Sequence, residues 1–213
     1  MYNLRILLTN VFLFIGMIAS AQDNYFPMRD IDSFRQQLES MTNAVQTIES
    51  DFVQEKMLNV LSSTIVSRGS FCFRKESNIR WEYTEPYQYL IILNGSSIYI
   101  REESGQKQYD VQSNKMFQEM NRFISGCIQG DILKDDQEYK IEYLENDREY
   151  YVTLVPNSQA LREMLNEVQI TFDKNDLTVS RITMVESGGD YTRINFVNKK
   201  LNTDIPLEKF SFN

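Results

Sequence analysis

Two adjacent carboxylate pairs, Glu102-Glu103 and Asp135-Asp136, are the nearest the sequence comes to a general acid–base couple. Such chemistry needs two carboxyls facing each other across a substrate. Neighbouring residues on a strand point to opposite faces, so Glu102 and Glu103 do not converge, and both pairs read as solvated charge. Asp173-Lys174-Asn175-Asp176 begins like a calcium loop but lacks the glycine and closing glutamate of one, and reads as a turn. Asn94-Gly95-Ser96 fits a glycosylation acceptor, but Asn-Gly is also a hairpin signal, which explains it more simply. The 213 residues include no histidine. That excludes a Ser-His-Asp triad, a Cys-His pair and a His-ligated zinc. Cys72 sits in a strand pattern and Cys127 in a helix pattern, and nothing in the sequence brings them together. Two buried free thiols is the plainer reading, although an exported chain meets an oxidising compartment in which a disulfide can form. No cofactor, no metal and no catalytic residue is indicated.

What remains is non-covalent chemistry, and composition narrows its partners. Hydrophobic residues make up 42% and charged residues 24%, which is enough apolar material for a core. The formal net charge of -8 disfavours nucleic acid, whose binding rests on basic patches, and tight docking on anionic headgroups. Met1–Ala21 reads as a secretory signal: Arg5, an apolar run from Ile6 to Ile18, then the small-x-small pattern Ala19-Ser20-Ala21. The run is short of the ~20 residues a membrane-spanning helix needs. Cleavage after Ala21 and export are therefore expected, with 22–213 as one domain.

The elements that would position a binding surface follow from periodicity. Phe34, Leu38, Met41 and Val45 repeat at helical spacing, with Asp32-Ser33 as a cap. From Thr47 onward strands take over. Ile48, Ser50, Phe52 and Gln54 share one side; Ile65, Ser67, Gly69, Phe71 and Phe73 share another; Ile79, Trp81 and Tyr83 alternate with charged and polar residues. Tyr89–Leu93 is an apolar run that turns at Asn94-Gly95, and strands follow at Ile98–Arg101 and Lys107–Val111. Met116, Met120, Phe123 and Cys127 predict a central helix, with Ile124 beside them, and Asp131–Glu138 an acidic loop. Strands resume at Tyr139–Leu144, Tyr150–Val155, Val168–Phe172, Thr178–Glu186 and Tyr191–Val197. Ser158–Leu165 reads as a short helix and Leu207–Phe212 as a last short strand. The fold class is mainly β with helices: about eleven antiparallel strands in hairpin succession, strongly curved, with one face wet and one covered. Eleven strands enclose more volume than their side chains readily fill. Helices, a ligand or both must occupy it.

The segment Gly69-Ser70-Phe71-Cys72-Phe73-Arg74-Lys75, followed by Ile79-Arg80-Trp81-Glu82-Tyr83-Thr84-Glu85-Pro86, resembles the LolA family of periplasmic carriers of outer-membrane lipoproteins. Phe52-Val53-Gln54, Asn94-Gly95 with Ile98-Tyr99-Ile100, Ile194-Asn195-Phe196 and Phe210-Ser211-Phe212 fit the same family. The resemblance implies an incomplete β-barrel of about eleven strands with a helical lid. It implies a monomeric carrier that takes acylated lipoproteins from an inner-membrane ATP-driven exporter and yields them to an outer-membrane acceptor. It also implies a basic loop residue that bonds the lid in the empty state. That position matches Lys75, with Arg74 adjacent; where the family usually has Arg then Pro, this chain has Lys75 then Glu76.

The expected acyl-chain lining is Phe52, Phe71, Phe73, Trp81, Tyr83, Ile170, Phe172, Ile182, Met184, Ile194 and Phe196. Met116, Met120, Phe123 and Ile124 are the expected lid. Met adapts to irregular partners, which suits loose, spread-out contacts. For the lining and the lid alike, plain core is the competing reading, and the sequence leaves both open. A carrier of another hydrophobic molecule and a protein-binding scaffold also stay open.

Overall fold

The strand periodicity is realised as one continuous antiparallel sheet. The computed structural model describes residues 24–61, 63–75, 78–95, 97–110, 126, 131–134, 137–163 and 165–211. The expected signal segment, the helix around Met116–Cys127 and the Asp135-Asp136 pair lie outside the described residues. The described strands are β1 (Phe26–Pro27), β2 (Thr47–Leu58), β3 (Ser63–Arg74), β4 (Asn78–Glu85), β5 (Tyr89–Asn94), β6 (Ser97–Glu102) and β7 (Gly105–Asp110). They continue as β8 (Tyr139–Glu145), β9 (Glu149–Pro156), β10 (Leu165–Asp173), β11 (Val179–Glu186) and β12 (Tyr191–Leu201). Their order in the sheet is β1-β8-β9-β10-β11-β12-β2-β3-β4-β5-β6-β7. Two hairpin meanders are thus joined along β12 and β2, and the sheet is open at β1 and β7 rather than closed into a barrel.

Helix α1 (Ile31–Ala44) lies on the concave face. Its cap is Asp30, not the expected Asp32-Ser33: Asp30 Oδ1 accepts from the Ser33 N–H at 2.8 Å, three residues into the helix. Phe34 and Leu38 are buried against Val152, Leu154, Val168, Ile170 and Phe172 of β9 and β10. The Phe34 ring sits 4.6 Å from Tyr150 and 5.5 Å from Phe172, centroid to centroid. A second core, Phe52, Phe71, Phe73, Ile79, Leu93, Ile98 and Ile194, fills the same face further along the sheet.

The outer face is not wet throughout, as simple alternation suggested. Cys72, Leu90 and Ile92 are buried there under Ile205 and Phe210. The continuous apolar run of β5 is explained by this cover on both sides. The C-terminal strap is a 3-10 turn, Leu207–Phe210, and not the expected strand. Arg74 donates to the Ile205 carbonyl, Arg80 to the Lys209 carbonyl at 3.3 Å, and Asn94 Nδ2 to the Phe210 carbonyl at 3.1 Å, so the strap is tied to three strands.

Two further expectations are corrected. Asp131–Lys134 is a 3-10 turn with Leu133 buried, not an open acidic loop. The helix expected over Ser158–Leu165 is a single turn, Gln159–Arg162, and Leu165 already starts β10. Gly95 has φ +57° at the β5–β6 tip, as the Asn-Gly hairpin requires. Among the described residues no helix is long and apolar enough to cross a membrane.

Candidate functional site: an apolar cavity under the helix

The two cores are separate clusters, with the partly buried Met184 packed against both. Between them, the C-terminal half of α1 stands off the sheet and leaves a cavity of about 350 Å³. Met41, Thr42 and Val45 of the helix form its roof. Phe71, Phe73, Trp81, Tyr83, Phe172, Ile182, Met184, Ile194 and Phe196 of the expected lining all face it. Hairpin pairing explains why they converge. Phe71 lies opposite Trp81, Phe73 opposite Ile79, Ile182 opposite Ile194, and Phe196 opposite Phe52, so one face of each strand contributes.

Phe52 and Ile170 do not line the cavity. Both share a face with lining residues, but each is built over. Ile170 is fully buried beneath Phe34 and Leu38 of the helix. Phe52 is 1% exposed because Trp81 and Tyr83 fold over it, with ring centroids at 5.1 and 5.0 Å. The reason is Gly69, which stands between Phe52 and Tyr83 in the register of β2, β3 and β4. A Cβ there would come within 2.8 Å of the Phe52 ring, so the bare backbone is what lets the aromatics close over the strand.

Sequence reasoning missed several walls: Ile48, Ser50 and Gln54 of β2, Ile91 of β5, Val179 of β11, and Leu177, Thr178 and Lys199 beside them. Ile48, Ser50 and Gln54 carried a legible signal, since they share the Phe52 face. Lys199 follows the irregular pairing between Val197 and Lys200, where alternation fails. The expected lid residues Met116, Met120, Phe123 and Ile124 lie outside the described residues.

The two basic residues at Arg74 and Lys75 part company. Arg74 turns to the outer face and bonds the C-terminal strap. Lys75 lines the cavity, and its Nζ donates to the Asn43 carbonyl at 3.0 Å, at the C-terminal end of α1. A cation there meets the negative end of the helix dipole and an unsatisfied terminal carbonyl. Lys199 also lines the cavity, but its charge is engaged by Thr178 and by Asp176 at 3.5 Å. Tyr83 donates its hydroxyl to Gln54 Oε1 at 2.9 Å, and burial pushes its phenol up to about 12. Cys72 is a free thiol on the opposite face, buried, with its pKa raised by that burial. No group of three or more metal-ligating side chains occurs among the described residues. The arrangement can hold an apolar chain.

Comparison with known proteins agrees with this architecture. A family model described as outer membrane lipoprotein carrier protein LolA matches residues 43–213. The outer-membrane lipoprotein carrier protein of Bordetella avium is 22% identical over 189 residues, covering 85% of this chain and 83% of its own. That of Methylococcus capsulatus is 22% identical over 177 residues, covering 82% and 81%. Among solved structures, the MucA/MucB complex of Pseudomonas aeruginosa matches at a TM-score of 0.51 and 9% identity, over 85% of this chain and 60% of that one, a likeness of fold. A LolA superfamily protein from Nitrosomonas europaea matches at 0.44 and 12%, over 84% and 97%. With one family model matching most of its length, the chain belongs to the family of the outer membrane lipoprotein carrier protein LolA.

Proposed function

We propose that this protein is a periplasmic carrier that holds the acyl chains of lipoproteins in the cavity under α1. It receives them from an inner-membrane ATP-driven exporter and passes them to an outer-membrane acceptor. The observation that carries the reading is the cavity itself. Its walls are aromatic and aliphatic side chains from seven strands and one helix, with few polar groups among them. Each acyl methylene withdrawn from water contributes ~0.8 kcal/mol. A wall of Phe, Ile and Met offers that gain through many weak contacts, which a carrier can give up again. The reading requires no catalytic step.

Volume adds a condition. A methylene takes up about the ~30 Å³ of a liquid water molecule, so 350 Å³ accommodates roughly a dozen. A triacylated cargo therefore requires α1 to lift further from the sheet. Lys75 ties down the C-terminal end of the helix, while Arg35 holds the N-terminal half to Tyr143, and in this reading Lys75 is the latch that cargo releases. A second reading follows from the same volume: a single-chain lipid fits without opening. Lipids extracted from the purified protein would identify such a cargo.

The test is release of lipoproteins from spheroplasts of the host. Triacylated lipoproteins should appear in the soluble fraction, bound to the carrier, only when it is added. If none is released while single-chain lipids copurify, the lipoprotein reading fails and the second one stands.

A further inference from the structure

Besides Lys75 and Lys199, the cavity wall carries a cluster of hydrogen-bonding side chains. Gln54 on β2 and Trp81 and Tyr83 on β4 meet there. The Tyr83 hydroxyl spends its proton on Gln54 Oε1. The Gln54 N–H donors have no partner among the described residues. The Trp81 Nε1–H is buried and also lacks an acceptor. It lies close enough to the Tyr83 hydroxyl to pull the phenol down, a weak contact that falls short of hydrogen-bond geometry. Phe52, Phe71 and Phe196 surround the indole ring and offer it nothing polar.

A buried donor without an acceptor is rare in native proteins. Here the buried donor is the Trp81 indole N–H, and the half-buried Gln54 carboxamide beside it adds N–H donors of its own. A ligand that completes the set must bring an acceptor and no donor of its own. It must also be apolar elsewhere, to suit the remaining walls. A carbonyl oxygen at the head of a hydrocarbon chain meets both conditions. Lys75 and Lys199 also line the cavity, but each is already engaged, by the Asn43 carbonyl and by Thr178 and Asp176, so neither is offered to a carboxylate. A neutral acyl ester or amide is therefore favoured over a free carboxylate.

We propose that the Trp81 indole N–H and the Gln54 carboxamide form a seat for the carbonyl oxygen of an acyl ester or amide, so that the cavity distinguishes acyl lipid from plain hydrocarbon. The proposal rests on the acyl-carrier reading and names the atoms of the cargo that are recognised. Tyr83 stands beside both donors, and its side chain yields as the carbonyl enters.

Trp81 is the only tryptophan in the chain. The ¹⁵N-labelled protein therefore gives a single indole N–H signal, which can be followed as methyl laurate or tetradecane is titrated in. The ester should bind about fivefold or more tightly than the alkane, the worth of one hydrogen bond, and should move the indole proton downfield. Trp81→Phe should reduce the ester-over-alkane ratio below about twofold, and Gln54→Leu should do the same; the ratio is the readout, since both residues line the cavity. Equal binding of ester and alkane with a stationary indole signal would overturn the seat and leave the carrier reading intact. Failure of the folded wild-type protein to bind either compound would overturn both.

Discussion

Gly69 governs more of the site than its size suggests. Besides admitting Phe52, it brings β3 so close to β4 that a Cβ would lie 1.9 Å from the Glu82 carbonyl oxygen. That contact is backbone and cannot be relieved by a side-chain rotation. Gly69→Ala should therefore cost about 3 kcal/mol or more, read as a lowered urea midpoint, which is large for one methyl group. Phe52 and Phe196 provide the complementary comparison. They pair across β2 and β12, but Phe52 is buried in core while Phe196 borders the cavity. Phe52→Ala should cost about 3–5 kcal/mol. Phe196→Ala leaves a hole that already exists in part and should cost roughly 1–1.5 kcal/mol. Equal losses in denaturant titrations would mean that the cavity wall is packed like core. Alternation alone could not separate these two residues. It gives the face of the sheet, whereas the helix and the overlying rings decide whether a position on that face is wall or interior.

At the scale of elements, the hairpin succession was legible because turn chemistry and two-residue periodicity agreed strand after strand. The exceptions share a cause: the deciding contacts are distant in sequence. β1 is only Phe26–Pro27 and carries no pattern of its own; it exists by pairing with Leu144 and Glu145 of β8. The C-terminal strap has the alternation of a strand, but Ile205 and Phe210 are drawn onto the outer face and the chain between them tightens into a turn. One ion pair fastens it, Lys209 Nζ to Glu49 Oε1 at 2.9 Å. The hydrogen bond from Lys209 holds the Glu49 carboxyl below its ordinary value of 4.5, and the same bond raises the Lys209 ammonium above 10.5. The carboxylate's contribution is thus complete above its ordinary range and is lost as pH falls through the lowered value. The ammonium's contribution is complete below 10.5 and is lost as pH rises through the raised value. Both side chains are about a third exposed, so the pair is worth no more than ~1 kcal/mol. Lys209→Met should lower the urea midpoint slightly at pH 7, and the gap to wild type should close in acid, once the pH has fallen through the lowered Glu49 value. A gap that persists in acid would assign the loss to packing of the lysine stem instead.

For the whole molecule, a cavity between two cores means that stability and occupancy are linked. A ligand that fills it should raise the melting temperature by mass action, about 2.7 kcal/mol at a hundredfold excess over Kd, or roughly 5–11 °C for a chain of this size. A thermal scan against increasing methyl laurate checks this, and a flat response would mean that the ligand binds outside the fold's interior. The join between the meanders has a different consequence, one of timing. Arg193 and Glu55 face each other across β12 and β2 at 3.5 Å, yet are 138 residues apart in the chain. Contacts of such separation are late and slow to form. During synthesis from the N-terminus, β2 therefore has one flank bare until nearly the whole chain has followed. For that interval the middle of the future sheet is an exposed edge, open to the wrong strand, and the nascent chain must be kept from its neighbours until β12 arrives.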